Sequence, residues 1–257
     1  MRIEELRRGK RYIPKAGEYT IPKGTSLTEA MDIIHKGEAI QHSFTIPEGQ
    51  TTADVLDRLY QDDRLHGSVT PQPQEGTLLP ETYFYTRGAS RGDMIRRMQQ
   101  SQELAFAALW ADRAADLPVK TLDDAIILAS IVEKETGQDG ERRLVASVFT
   151  NRLKIGMKLQ SDPTTLYGLR MSGEPVKRLL RRHLTHDSLW NTYKYHGLPP
   201  TPITNPGRAS LAAVLNPAKS DFLYFVANGK GGHNFAKTLG EHNKNVKAWR
   251  KIQKNQN

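Results

Sequence analysis

Cysteine is absent from this chain, which excludes disulfides, thiolate metal sites and a cysteine nucleophile, and suits an oxidising compartment without demanding one. Long apolar runs are missing too. The longest, Ala125 to Val132 and broken by Ser130, falls far short of the ~20 residues that span a bilayer. Behind Met1 stands Arg-Ile-Glu-Glu-Leu-Arg-Arg rather than the apolar core of a secretory leader, so either the protein is cytoplasmic or an upstream segment lies outside this sequence. There is no Gly-x-Ser-x-Gly elbow, which argues against a serine hydrolase. The Gly-rich stretch Asn228-Gly-Lys-Gly-Gly-His-Asn-Phe235 lacks the Gly-Lys-Ser/Thr ending of a phosphate loop and reads as a tight turn carrying His233 toward a cleft. His183 and His186 are three apart with no third ligand nearby and read as a solvated pair, so neither a metal nor a cofactor is expected.

What the chain does hold is enough for one or two packed domains: 257 residues, 37% of them hydrophobic. Its formal charge of +9 asks for an acidic partner. The basic residues are nevertheless dispersed. The densest cluster, Lys177-Arg-Leu-Leu-Arg-Arg-His183, reads as the solvated face of an amphipathic helix without interleaved aromatics, so nucleic acid is not the expected partner. An anionic membrane surface or an acidic polymer stays open.

The first organisational signal is an internal repeat. Tyr19-Thr-Ile-Pro-Lys-Gly-Thr-Ser-Leu-Thr-Glu-Ala-Met31 returns as Phe44-Thr-Ile-Pro-Glu-Gly-Gln-Thr-Thr-Ala-Asp-Val-Leu56, offset by 25 residues. Each copy predicts a short strand, a Pro-x-Gly turn and an amphipathic helix, with Pro22 and Pro47 ending strand pairing, Gly24 and Gly49 permitting positive φ, and Thr25 or Thr51 capping the helix. Two such units suit a small module that looks like a LysM-type, glycan-binding subdomain, and equally a plain packing module. Pro, Gln and Gly then displace any period at Val69 to Gly76. Beyond it the spacing predicts helices over 91–113, 142–154 and from about 237 or 241 to 252, and a buried strand over Asp221 to Ala227. The fold class is therefore α+β: a small LysM-like strand and helix subdomain over residues 1–68, followed by a larger mixed α/β catalytic domain over 69–257.

The chemistry concentrates at Leu128-Ala-Ser-Ile-Val-Glu-Lys-Glu-Thr136, an apolar helix that delivers Glu133 and Glu135 to its own end. Residues two apart on a helix differ by roughly 200° in direction, so the two are not a catalytic pair facing one bond. Glu135 sits in the last turn, where the negative end of the helix dipole raises a carboxyl pKa, as leaving-group protonation requires. An exposed Glu-Lys-Glu helix end without function fits the same residues. A second carboxylate is available only in Leu159-Gln-Ser-Asp-Pro-Thr164, and Asp162 before Pro163 also reads as a turn residue. If Asp162 is structural, one acid suffices when the sugar supplies its own nucleophile, the C6 hydroxyl of a muramic acid closing a 1,6-anhydro ring. Gln160, Ser161, Asn191, Thr192, Tyr193, Asn205 and Asn228 offer hydrogen bonds to sugars, and Trp190, Tyr193, Tyr195 and Tyr224 offer flat faces. The Pro-rich stretch Asn191 to Gly207 reads as site lining or as a spacer.

Several ordered motifs together resemble one family. Ala129-Ser-Ile-Val-Glu-Lys-Glu-Thr136, Val145-Ala-Ser-Val-Phe-Thr-Asn-Arg-Leu153, Ile155-Gly-Met-Lys-Leu-Gln-Ser-Asp-Pro-Thr164, Tyr193 with Gly197-Leu-Pro-Pro200, Asn205-Pro-Gly207, Tyr224-Phe-Val-Ala-Asn-Gly-Lys-Gly-Gly-His233 and Glu75-Gly-Thr-Leu-Leu-Pro-Glu-Thr-Tyr83 closely resemble the bacterial endolytic murein transglycosylases. The likeness covers most of residues 16–250. It implies cleavage of nascent peptidoglycan glycan strands between N-acetylmuramic acid and N-acetylglucosamine, leaving 1,6-anhydromuramyl ends and terminating elongation beside the peptidoglycan synthases. It implies Glu135 as the catalytic acid/base, and the residues expected to bind substrate around it are Glu133, Gln160, Ser161, Asp162, Thr164, Asn191, Tyr193, Asn228 and His233. It also implies a cytoplasmic tail and one transmembrane anchor upstream, at the periplasmic face of the inner membrane; this chain begins at Met1, just before the LysM-like part, without them. A non-catalytic glycan-binding scaffold and a two-carboxylate muramidase using Glu135 with Asp162 are the alternatives.

Overall fold

The computed structural model describes residues 17–256, and these divide into two compact units. The first takes residues up to 46 with 53–72 and 81–97, and the second takes 47–52, 73–80 and everything from 98 onward.

In the first unit, helix α1 (Leu27–Lys36) opens on a capping box in which Ser26 and Glu29 satisfy each other's backbone N–H groups, and it closes on Gly37 at φ 73°. The cap thus falls one residue later than Thr25, whose hydroxyl instead donates to the Pro22 carbonyl at 2.6 Å. Strand β1 (His42–Thr45) pairs antiparallel with β3 (Thr82–Tyr85), and helix α2 (Thr52–Gln61) buries Val55, Leu56 and Leu59. Alternation along β3 buries Tyr83 and Tyr85 and leaves Phe84 in solvent. A short parallel ladder joins β2 (Leu65–His66) to β4 (Ala89–Ser90), and α3 (Arg91–Ala111) follows. The repeat is realised unequally. Its second copy forms strand, turn at Gly49 (φ 76°) and buried-faced helix, whereas Tyr19 to Ile21 form no strand and α1 buries no residue. Of the two copies, only the second contributes a strand to a sheet, β1 beside β3.

The second unit is built around α4 (Leu122–Glu135), whose apolar middle from Ala125 to Val132 is buried apart from Ile127. A helical stretch apolar on all sides requires neighbours on all sides. They are α5 (Asp139–Lys154), α6 (Asp162–Met171), α7 (Arg208–Leu215) and the side chains of Phe106, Leu159 and Ile203. The hairpin of β5 (Tyr224–Ala227) and β6 (His233–Ala236) packs on α8 (Leu239–Gln256). Three expectations change here. The strand begins at Tyr224 rather than Asp221 and is half-buried, because α8 and solvent share its faces. Asp162-Pro163 opens α6, with the proline in the first turn where its missing N–H costs nothing, and is not an isolated turn. Lys177 to His183 form no amphipathic helix: only a 3₁₀ turn, Arg181–Thr185, exists there, since the segment has no apolar face to bury and Leu180 is itself exposed. Among the described residues no helix is long and apolar enough to cross a membrane.

The hairpin turn is fitted closely to α8. A methyl group at Gly229 (φ 78°) meets the Ile252 and Trp249 side chains at 2.9 and 3.1 Å. Gly229→Ala is expected to cost about 1–3 kcal/mol in urea unfolding, from left-handed strain and from this contact. An unchanged midpoint contradicts that packing.

Candidate active site

Glu135 is the last residue of α4, and the chain leaves the helix there through an extended Thr136. Its carboxylate Oε1 accepts a 2.5 Å hydrogen bond from the buried Ser161 hydroxyl. Ser161 is fixed in turn by its own N–H, donated to Thr192 Oγ1 at 3.0 Å. The residue is half-buried, and desolvation pushes its carboxyl up from the ordinary 4.5 to about 7. The Ser161 hydrogen bond opposes the rise, the negative charge of Asp162 adds to it, and Arg152 works against it. The elevation expected from the helix end is therefore present in direction, but desolvation is its principal cause.

Glu135 opens on a cavity of about 420 Å³ with a polar side formed by Arg152, Gln160, Asp162 and Tyr193 and an apolar and aromatic side that includes Phe149, Tyr224 and Phe225. Asp162 accepts the Tyr193 hydroxyl at 2.5 Å, and burial together with that carboxylate raises the phenol's pKa. Gln160 has φ 49°, a left-handed conformation uncommon for a residue with a side chain, and its N–H donates to the Thr192 carbonyl. Arg152, 7% exposed, donates through Nε to the Leu223 carbonyl (2.7 Å) and through Nη1 to the Leu159 carbonyl (2.5 Å). It therefore braces β5 and the approach to Gln160 from beneath.

Other residues expected to bind substrate lie elsewhere. Glu133 points away from Glu135, as two residues apart on a helix must, and its Oε2 takes the Gly207 N–H at 2.8 Å. Beside it the Glu48 carboxyl is raised by burial and by the Glu133 charge. Thr164 is fully buried, donating to the Ser161 carbonyl and sharing a hydrogen bond with Thr192. Asn191 is also fully buried. It accepts from Thr165 Oγ1 and the Tyr193 N–H and donates to the Leu184 and His186 carbonyls, which places Tyr193 and leaves no group for a ligand. Asn205 is interior as well, accepting from the Leu78 N–H and donating to Gln50 and Thr52. Asn228 closes the β5–β6 turn by accepting from Lys230 and Gly232. His233 pairs with Glu141 (Nδ1 to Oε2, 2.7 Å) and is not part of the cavity wall, contrary to the turn's expected direction toward a cleft. Of the Pro-rich stretch, Tyr193 alone lines the cavity, while Tyr195 bonds Asp187; Trp190, just before the stretch, bonds Thr201.

Two charged or titratable cavity residues, Arg152 and His242, escaped the sequence reading, as did the apolar ones. The first carries a signal in hindsight: it lies three and four residues beyond Phe149 and Val148, on the apolar face of α5.

Comparison with known proteins fits this arrangement. The model of the YceG-like family matches residues 2–248. The endolytic murein transglycosylase of Bacillus subtilis is 41% identical over 173 residues, covering 67% of this chain and 47% of that protein. That of Streptococcus pneumoniae is 31% identical over 176 residues, covering 67% of this chain and 31% of that protein. The matched region thus spans about half or less of those relatives' length. A 2.6 Å crystal structure of a yceG-like protein from Listeria monocytogenes superposes with a TM-score of 0.65 at 32% identity, covering 90% of this chain and 85% of that one. The chain belongs to the YceG-like family.

Proposed function

We propose that this protein is an endolytic peptidoglycan lytic transglycosylase in which Glu135 is the general acid and base. The observation that carries the reading is a single desolvated carboxyl, at about 7, on the wall of a cavity that also offers aromatic and hydrogen-bonding surface. Protonated Glu135 gives its proton to the oxygen between N-acetylmuramic acid and N-acetylglucosamine as the bond to C1 breaks. The muramyl C6 hydroxyl closes on C1 and its proton returns to Glu135, so no water is consumed and a 1,6-anhydro end is left. Ser161 holds the carboxyl in place, and Gln160, Tyr193 and Arg152 surround the sugar. The names of the relatives support the substrate. We further propose that residues 1–68 act as a LysM-like glycan-binding subdomain beside a catalytic domain over 69–257, and that the enzyme works at the periplasmic face of the inner membrane, held by an upstream anchor and acting beside the synthases.

A two-carboxylate hydrolase deserves a direct test because Asp162 lines the same cavity and its charge acts on Glu135. In the single-acid mechanism Asp162→Asn keeps the hydrogen bond to Tyr193 and loses less than about tenfold in turnover, against the 10²–10⁴ or so contributed by a general acid. Its rate also begins to fall at lower pH than that of the wild type, since the charge that helps hold the proton on Glu135 is gone. Loss comparable to that of Glu135→Gln, measured on uncross-linked strands, would favour the hydrolase.

A further inference from the structure

The side chains of α8 that reach the Glu135 cavity are Leu239, His242 and Val246, spaced as one helix face. Two of them are apolar; the histidine between them has an unusual environment. Its ring stacks on Tyr224, with centroids 5.1 Å apart and planes inclined by 25°. Its Nδ1 is buried without a hydrogen-bond partner among the described residues. Other histidines of the chain spend a ring nitrogen on a neighbour: His183 on the Leu180 N–H, His42 on Glu18, His233 on Glu141. The His242 ring is oriented by the stack and, among the described residues, holds no hydrogen bond.

We infer that His242 is a substrate hydrogen-bond donor of this cavity, presenting Nε2–H to a sugar oxygen and moving no proton in the reaction. The inference rests on the glycan reading above and adds a ligand contact to it. A neutral imidazole carries one proton, and placing it on Nδ1 creates a buried donor with no acceptor, the rarest of unsatisfied states. The Nε2–H tautomer avoids this. The imidazolium requires both protons, and it must form beside Arg152, whose guanidinium lies 5.4 Å from the Tyr224 ring on which His242 stacks. Burial and the Arg152 charge accordingly hold the His242 pKa below the ordinary 6.5. The cavity's carboxyls, Glu135 and Asp162, are engaged by Ser161 and Tyr193. A nitrogen that already carries its proton is a donor and not a base, which suits a sugar hydroxyl or ether oxygen and leaves the proton transfers to Glu135.

Binding of uncross-linked glycan strands by calorimetry in the Glu135→Gln background tests this without turnover. His242→Phe keeps a ring for Tyr224 and removes the donor, and is expected to weaken Kd roughly tenfold, the size of one lost hydrogen bond. His242→Gln places an amide N–H near the Nε2 position and is expected to restore most of the affinity, whereas His242→Asn, which mimics the Nδ1 side, is not. In the otherwise wild-type enzyme the His242→Phe loss should fall on KM more than on kcat, without moving the pH at which the rate declines. Unchanged affinity in His242→Phe, or failure of His242→Gln to restore it while melting like the parent, overturns the inference and leaves the role of Glu135 standing. A displaced pH profile in His242→Gln, which would make His242 a proton carrier, also overturns it. Absence of strand binding in the Glu135→Gln parent overturns this inference and the glycan reading together.

Discussion

Glutamine in place of Glu135 is expected to lower turnover on glycan strands by about 10²–10⁴-fold while making the protein more stable at neutral and alkaline pH. Both effects have one origin. The desolvated carboxyl is held near 7, whereas in the unfolded chain it ionises near 4.5. Between those values the unfolded state has lost a proton that the folded state still holds, so wild-type stability falls as pH rises from 4.5 to 7 and the full penalty is present above 7. A rise of this size corresponds to about 3 kcal/mol. Glutamine cannot ionise and still accepts the Ser161 hydroxyl, so it escapes the penalty. Urea unfolding of the two proteins should coincide near pH 4 and separate by up to about 3 kcal/mol at pH 8, with the variant the more stable. Wild-type turnover should decline above about 7, where the proton donor is lost. Equal stability at both pH values contradicts the burial of this carboxyl as an acid.

Arg152→Ala is expected to be the most destabilising single change at the site, at about 2–4 kcal/mol. Its guanidinium supplies the buried Leu159 carbonyl and the part-buried Leu223 carbonyl, and the first is left buried without a donor once it is gone. Lysine restores little, because a single ammonium does not span both acceptors as a planar fork does. Any folded Arg152→Ala protein should also keep its activity to higher pH than the wild type, since Arg152 is the charge that holds the Glu135 pKa down. A stability loss below about 1 kcal/mol contradicts the bracing role.

The helix end that carries Glu133 and Glu135 was legible in the sequence as an apolar run closing on carboxylates, but the helix alone did not select Glu135 over Glu133. Gln160, Asp162 and Tyr193 were legible as polar candidates that the fold brings to the same cavity. Amide and hydroxyl side chains are harder to read. Asn191, Thr164 and Asn205 have the chemistry of sugar ligands, yet each is buried with its groups used to tie backbone segments together. Only burial separates the two uses, and burial depends on tertiary neighbours. Arg152 was hidden by the opposite effect: within Val145 to Leu153 a charge reads as the solvent side of an amphipathic helix, although it falls on the packed face. His242 lies in a helix rich in lysine, and nothing local shows that one face of it reaches a cavity. The repeat near the start illustrates the limit for strands. Two segments of the same pattern fold differently because only the second meets Thr82 to Tyr85.

The most direct measurement is the mass of the glycan ends released from uncross-linked peptidoglycan strands by the wild type and by Glu135→Gln. Ends lighter by one water than hydrolysis products, formed by the wild type and absent with the variant, are the predicted result. Ends of hydrolytic mass, or anhydro ends still formed at wild-type rate by Glu135→Gln, contradict a mechanism in which Glu135 alone moves the protons.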